Sequence, residues 1–291
     1  MKRVLITGAG SFVGTNIEKW LQKEPEQFVV DTVDTMNFEW TKANFRKYDT
    51  VFHVAGIAHV DPKPSMAPLY YKVNRDLTLE IARYAKEMGV KQFIYMSSRI
   101  VFRVSRSLQG NVTTPDTQPD PNDFYGDSKL QAENGLHELE CDTFKVCILR
   151  PPMIYGPGNK GNLPRLAWLA TKVPVFPAWH NQRSMLHVNN LAEFVKQIIL
   201  REMNGTFYPQ NADLADTVEI VRAVAKENGH KIWITMLLNP FVWLGSFFLP
   251  AIPKMFADSY YVPEMSKYDF DYQVVSLAES LKGLEIKKTM R

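Results

Sequence analysis

Over the first half of the chain, short apolar runs alternate with longer stretches whose apolar residues recur every three to four positions. "RVLITGA" reads as a short buried strand, followed at once by a glycine turn and the helical pattern "NIEKWLQKE". "FVVDTV", "TVFHVAG" (Thr50 to Gly56), "KQFIYMSS" and "FKVCILRP" read as further strands, the last closed by Pro151 and Pro152. "YYKVNRDLTLEIARYAKEMG" predicts one long amphipathic helix stopped at Gly89, and "YGDSKLQAENGLHELE" predicts another. Strands of this kind alternating with helices imply an α/β fold, a Rossmann-type doubly wound parallel sheet covered on both faces, with right-handed crossovers.

After Gly158 the pattern loosens. "NLPRLAWLATK" and "NLAEFVKQIILRE" are expected as helices, "SMLHV" as a short strand and "GTFYPQ" as one more. The sheet domain is expected over 1–157 and 184–210. A smaller α+β substrate domain, over 158–183 and 211–291, would pack on the carboxyl edge of the sheet, where open α/β sheets bind ligands. Within it, "KIWITMLLNPFVWLGSFFLPAIP" (231–253) is apolar for long enough to suggest a membrane. Pro240, Pro250 and Pro253 cut it into short pieces, so a buried helix or subunit contact is expected, with peripheral membrane attachment as the alternative.

Composition narrows the picture by exclusion. The 291 residues are 45% hydrophobic and 22% charged, as in ordinary globular proteins, and a net charge of +3 gives no case for nucleic acid. The six histidines are scattered and form no close metal-ligand pair, so no metal is expected. The two cysteines, in "CDTFKVC", lack zinc or redox spacing, and a reducing cytoplasm is the expected compartment. "MKRVLITGAG" lacks the apolar run of a signal peptide.

Two stretches carry chemistry. "TGAGSFVG" lies between the first strand and the first helix, where backbone N–H groups can meet a pyrophosphate at a helix N-terminus. Gly8, Gly10, Ser11, Phe12, Val13 and Gly14 are the expected cofactor contacts there. Asp34, closing the second strand, is preferred over Asp31 as the ribose ligand; that would favour NAD, while a nearby arginine would admit NADP. In "NDFYGDSKLQAE", Tyr125 and Lys129 stand one helical turn apart. A phenol has a pKa of about 10, and an ammonium group beside it, with a positive nicotinamide nearby, would favour the phenolate, giving a group that moves a proton while a cofactor moves hydride. Ser97 or Ser98, ending the fourth strand, could bond the same oxygen.

Together these motifs resemble the NAD-dependent epimerase/dehydratase family of extended short-chain dehydrogenases/reductases, over most of the chain and more weakly beyond Asn211. "TGAGSFVG" is similar to the family's TGxxGxxG loop, "FYGDSK" to its YxxxK helix, and "SSRIVF" to its SSxxVY, which implies Ser98 as the catalytic serine and Ser97 as support. "VFHVAG" resembles a strand of the family whose end, Val54, Ala55 and Gly56, would face the cofactor, with Asn74 following it. "LRPPMIYGPG" resembles the segment lining the nicotinamide and sugar, implying Pro152 and Met153. "GNLPRL" and "RSMLHVNNLA" imply Asn162, Leu163 and Arg183 as ligands of a nucleotide diphosphate. The departures are Ser11 for a glycine, Phe102 and Arg103 for tyrosine and glycine, Asn190 for an aspartate, and a short stretch between Asp34 and Asp49.

The resemblance implies NAD(P)-dependent chemistry at C4 of a UDP-sugar, in a homodimer paired through the helices near 74–88 and 125–140, in surface polysaccharide precursor synthesis. Arg99 and Ile100 follow Ser98 where the family's dehydratases carry an aspartate–glutamate pair, so dehydration is not expected. A 4-epimerase and a one-way reductase of a UDP-4-keto-6-deoxy sugar both remain, as does a non-catalytic dinucleotide-binding protein. His59 and Arg103 lie in loops that could reach the sugar.

Overall fold

The computed structural model describes residues 1–58, 63–159 and 162–282. Six strands form its central sheet: β1 (Lys2–Thr7), β2 (Phe28–Val33), β3 (Thr50–His53), β4 (Gln92–Met96), β5 (Lys145–Leu149) and β6 (Gly205–Phe207). They run parallel in the order β2-β1-β3-β4-β5-β6. The interior strands β3, β4 and β5 are almost wholly buried, as two-sided coverage demands. The chain runs outward from β1 to β2 and then returns to β3 on the other side of β1. This reversal opens a crevice at the carboxyl ends of β1 and β3.

Helices α1 (Phe12–Leu21) and α4 (Val188–Leu200) cover one face, where Ile17 and Leu21 meet Leu191, Phe194 and Ile198. Helices α2 (Leu77–Glu87) and α3 (Phe124–Leu139) cover the other with Ile81, Ala85, Ala132 and Leu136. The six-strand dinucleotide fold normally carries a further strand outside β2. Here the link from β2 to β3 holds only two tight helical turns, Met36–Lys42 and Phe45–Lys47. A parallel strand needs a crossover of a dozen residues or more, and this link is too short to hold both. Trp40 and Phe45 instead pack edge-on with Tyr84 of α2.

The long helix expected over 70–89 is interrupted. A π-helical stretch, Tyr71–Asp76, precedes α2. The wider turn changes the phase of the helix so that Asn74 is buried facing the chain leaving β3.

A separate apolar core gathers Tyr155, Leu163, Ala167, Phe176, Met185, Val218, Val221, Val242 and Phe256. Three short parallel pairs accompany it: Met153–Tyr155 with Met185–His187, Val175–Pro177 with Trp233–Thr235, and Asn111–Thr113 with Ser259–Tyr261. The 231–253 segment is not the buried helix expected. It forms a strand, a tight turn and two short helices, Asn239–Gly245 and Ala251–Phe256, whose inner side chains join this core while much of the apolar surface faces outward.

Candidate active site

The first turn after β1 is built for close approach. Gly8 has φ +106°, and a Cβ there would lie 2.8 Å from the Ala55 backbone nitrogen, so the loop after β3 could not sit where it does against any other residue. Gly10 also has positive φ, and a Cβ there would meet nothing within 4 Å, leaving its outer side open. Ser11 needs no glycine: its φ of −69° is ordinary, and its Oγ accepts from the Gly14 N–H at 3.1 Å. The departure at this position therefore supplies an N-cap to α1. A cradle of this shape at a helix N-terminus fits a dinucleotide pyrophosphate.

Behind the cradle, polar bonds tie the sheet edge to the helices. The Ile57 N–H donates to Asn74 Oδ1 at 2.8 Å, while Asn74 Nδ2 donates to the Ile57 carbonyl and to Ser128 Oγ, each at 3.2 Å. A Cβ on Gly56 would lie 3.0 Å from Asn74 Oδ1 and 3.3 Å from Lys129 Nζ, so Gly56 admits the lysine to the crevice. Lys129 is buried; its Nζ donates to the Met96 carbonyl at 2.9 Å and stands 4.7 Å from the centre of the Tyr95 ring. Burial brings its pKa down to about 8, against a smaller opposing pull from Glu133.

Asp123 caps α3 through the Gly126 N–H, and Tyr125 follows in the first turn. Its ring meets Tyr70 edge-on at 5.7 Å. Burial pushes the phenol pKa up, a side-chain hydrogen bond with Ser98 opposes this, and Tyr70 and Asp123 add to the rise. The expected lowering by Lys129 is not among these influences. Lys129 is committed to Met96, and desolvation outweighs any help to the phenolate, so the phenol is held protonated.

Ser98 lies two residues beyond the end of β4 and caps the short turn Arg99–Val101, its Oγ accepting from the Ile100 N–H at 3.3 Å. Ser97 donates to Glu133, further along α3, which Arg150 grips through Nε at 3.1 and 3.2 Å. Arg99 is a clasp: it donates to Ser259 Oγ, the Asn111 carbonyl and Thr113 Oγ1 at 2.8–3.1 Å, joining the end of β4 to the outlying pair of strands.

The other candidates are placed unevenly. Asp34 is exposed and accepts from the Met36 N–H, whereas Asp31 accepts from the Tyr48 hydroxyl. Phe12 and Val13 open α1 and Val54 and Ala55 lie in the loop after β3, with Val13 and Val54 against the sheet core. Pro152 is buried and Met153 half-buried in the strand after β5. Leu163 is buried in the second core, and Asn162 begins the helix Asn162–Ala170. Arg183 Nη1 donates to the Lys254 carbonyl at 2.7 Å. Arg103 is paired with Asp120 and lines a cleft of about 1150 Å³ with Arg106, Leu108, Trp179, Trp243 and Phe247. His59 lies outside the described residues. No group of three His, Cys, Asp or Glu suited to a metal occurs among the described residues.

Sequence reasoning missed Tyr70, Tyr95 and the Glu133–Arg150 pair. Glu133 stands four residues beyond Lys129, as Lys129 does beyond Tyr125, so the helical spacing carried a signal for it. The two tyrosines are brought in only by tertiary packing.

A six-stranded parallel sheet with a glycine cradle at its switch point, and a serine, tyrosine and lysine beside it, is a Rossmann-like architecture of the dinucleotide-binding kind. The chain belongs to the NAD dependent epimerase/dehydratase family, whose model matches residues 4–208. It is 32% identical over 247 residues to a UDP-glucose 4-epimerase of Vibrio cholerae, covering 77% of this chain and 75% of that protein. It is 29% identical over 283 residues to an N-acetyl-alpha-D-glucosaminyl-diphospho-ditrans,octacis-undecaprenol 4-epimerase of Escherichia coli O157:H7, covering 89% and 82%. A UDP-glucuronic acid 4-epimerase of Bacillus cereus, solved with NAD, shares the fold with a TM-score of 0.71 over 96% of both chains at 18% identity.

Proposed function

We propose that the protein catalyses NAD(P)-dependent oxidation and reduction at C4 of a hexose or N-acetylhexosamine carried on UDP, as a 4-epimerase. The observation that carries this reading is the convergence of Ser98, Tyr125 and Lys129 beside the cradle. Gly8, Gly10, Ser11 and Gly14 would hold the pyrophosphate, Asp34 the ribose, and Gly56, Asn74 and Lys129 would border the nicotinamide half. The bound dinucleotide supplies the hydride acceptor and donor. Tyr125 takes the proton of the C4 hydroxyl and returns it, and Ser98 holds the same oxygen in line. The protonated phenol is ready for the return step; the outward step needs added positive charge near the ring. Arg99, spent in its clasp, offers no acid or base for dehydration. Two relatives named as 4-epimerases support this choice over a one-way 4-ketoreductase.

The same chemistry suits a sugar carried on a polyprenyl diphosphate, as the name of the E. coli relative indicates for that protein. Trp243 and Phe247, which line the cleft of Arg103 and Arg106, would suit the apolar chain of this second carrier. Purified protein should release stoichiometric NAD on denaturation if it is an epimerase; an empty protein that takes up NADPH or NADH at each turnover would establish the reductase instead. Turnover of UDP-N-acetylglucosamine and of its polyprenyl-diphosphate counterpart, followed by C4 configuration, separates the carriers. Tyr125→Phe should abolish turnover with nucleotide binding intact, and an active variant would overturn the assignment.

A further inference from the structure

Between Trp233 and Leu249 nine large apolar side chains are exposed, among them Met236, Leu237, Phe241, Trp243, Leu244, Phe247 and Phe248. Four of them, Met236, Leu237, Phe241 and Phe248, are 69–75% exposed, an apolar ridge along this segment. The ridge is firmly founded: Val242 and Phe256 are buried in the second core, and Gly245 lets the two short helices close up, a Cβ there falling 2.5 Å from Ile252 Cδ1. Soluble monomers rarely leave so much contiguous apolar surface without a use for it.

We propose that this ridge is a membrane-docking surface that seats in the headgroup region of a lipid bilayer containing anionic lipid. Charge complementarity selects this occupant. From Lys231 to Ala257 there is no acidic residue, and the exposed Lys231 and Lys254 flank the ridge. Apolar and aromatic side chains rimmed by lysines suit an anionic interface, where rings sit at headgroup depth and cations meet lipid phosphates. A second copy of this chain is a poorer match, because a two-fold contact would bring the lysine rims of both copies together. The mode is monotopic, since among the described residues no helix is long and apolar enough to cross a membrane. Docked in this way, Trp243 and Phe247, which line the cleft of Arg103 and Arg106, would hold that cleft against the bilayer.

The test is co-sedimentation of the full chain with vesicles of phosphatidylcholine alone and of an equal mixture with phosphatidylglycerol, at low salt. The mixed vesicles should capture it, and the double substitution Phe241→Ser/Phe248→Ser should lower partitioning about tenfold or more, by loss of two inserted rings. Lys231→Glu/Lys254→Glu should remove the preference for anionic lipid and leave residual binding. Both variants should keep the wild-type melting temperature and nucleotide content. Absence of binding to mixed vesicles, or binding undiminished in the phenylalanine variant, would overturn the proposal. So would a concentration-dependent dimer abolished by that variant in the absence of lipid. The readout involves no turnover, so the result stands apart from the C4 assignment.

Discussion

Replacing Lys129 with methionine tests the electrostatics of the crevice directly. The ammonium group is buried against the Tyr95 ring, with one carbonyl as its hydrogen-bond partner and a neutral neighbour in His53. Burial holds His53 uncharged, its pKa down to about 3, and Lys129 adds to that shift. The fall of the lysine pKa from 10.5 to about 8 corresponds to about 3 kcal/mol favouring the neutral amine in the folded state. Below about pH 8 the lysine is charged in both states and this penalty acts in full. Between about 8 and 10.5 the unfolded chain binds the additional proton, so this group makes stability rise with pH. Lys129→Met lacks that contribution. It also leaves the Met96 carbonyl without its partner, a cost of about 1–3 kcal/mol that does not depend on pH. The assay is urea unfolding of nucleotide-free wild type and variant across this range. The stability of the variant relative to wild type should decline by about 2 kcal/mol from about pH 8 to about pH 10. A difference that stays flat would refute the buried-ammonium picture, whatever its absolute size.

Two further outcomes follow from the supporting contacts. Glu133→Ala should cost about 3–5 kcal/mol in urea unfolding by stranding Arg150, whereas Glu133→Leu/Arg150→Met should recover most of that loss; equal losses would show that the ion pair is not the issue. Ser11→Ala should cost about 1 kcal/mol by loss of the cap on α1, and Ser11→Gly only a few tenths; a larger loss in the glycine variant would contradict the N-cap role.

What could be read along the chain was what local chemistry controls. The glycine turn, the five leading strands and the tyrosine–lysine spacing each depend on residues within one or two turns of one another. The fold departs from expectation where distant residues compete. The π-helical stretch is not written in apolar periodicity; it accompanies bonds between Asn74 and Ile57, seventeen residues apart. Arg99 stood out only as a missing acid, and its clasp depends on Ser259, far along the chain. The pKa argument for Tyr125 joined the charge of Lys129 to that of a nicotinamide nearby, and it left out burial, which is the largest cause of both shifts among the chain's own groups. The 231–253 segment shows the same limit: hydrophobicity marked it, but only packing tells which side chains turn outward.

Asn190 shows how a departure from the family pattern can be a requirement of this chain. It is wholly buried at the start of α4, where the resemblance leads one to expect an aspartate. Its Oδ1 accepts from the Val275 N–H at 2.8 Å, a bond that a carboxylate would keep. Its Nδ2 donates to Asn211 Oδ1 at 3.0 Å, Gln273 Oε1 at 3.2 Å and the Val275 carbonyl at 2.8 Å. The amide oxygens cannot simply turn away, because Asn211 Oδ1 also accepts from His187 N–H and Gln273 Oε1 from Ala212 N–H. In Asn190→Asp a carboxylate oxygen would face three acceptors in a buried site, at a cost of about 3–5 kcal/mol near neutral pH. Protonation restores one donor, so the folded state would raise the pKa of the new carboxyl above its unfolded value. The loss should therefore shrink as pH falls towards about 5, whereas a purely steric defect would be insensitive to pH. Thermal unfolding at about pH 7 and about pH 5 decides between them: a gap from wild type that does not narrow in acid would mean that the Asn190 amide is not needed as a donor.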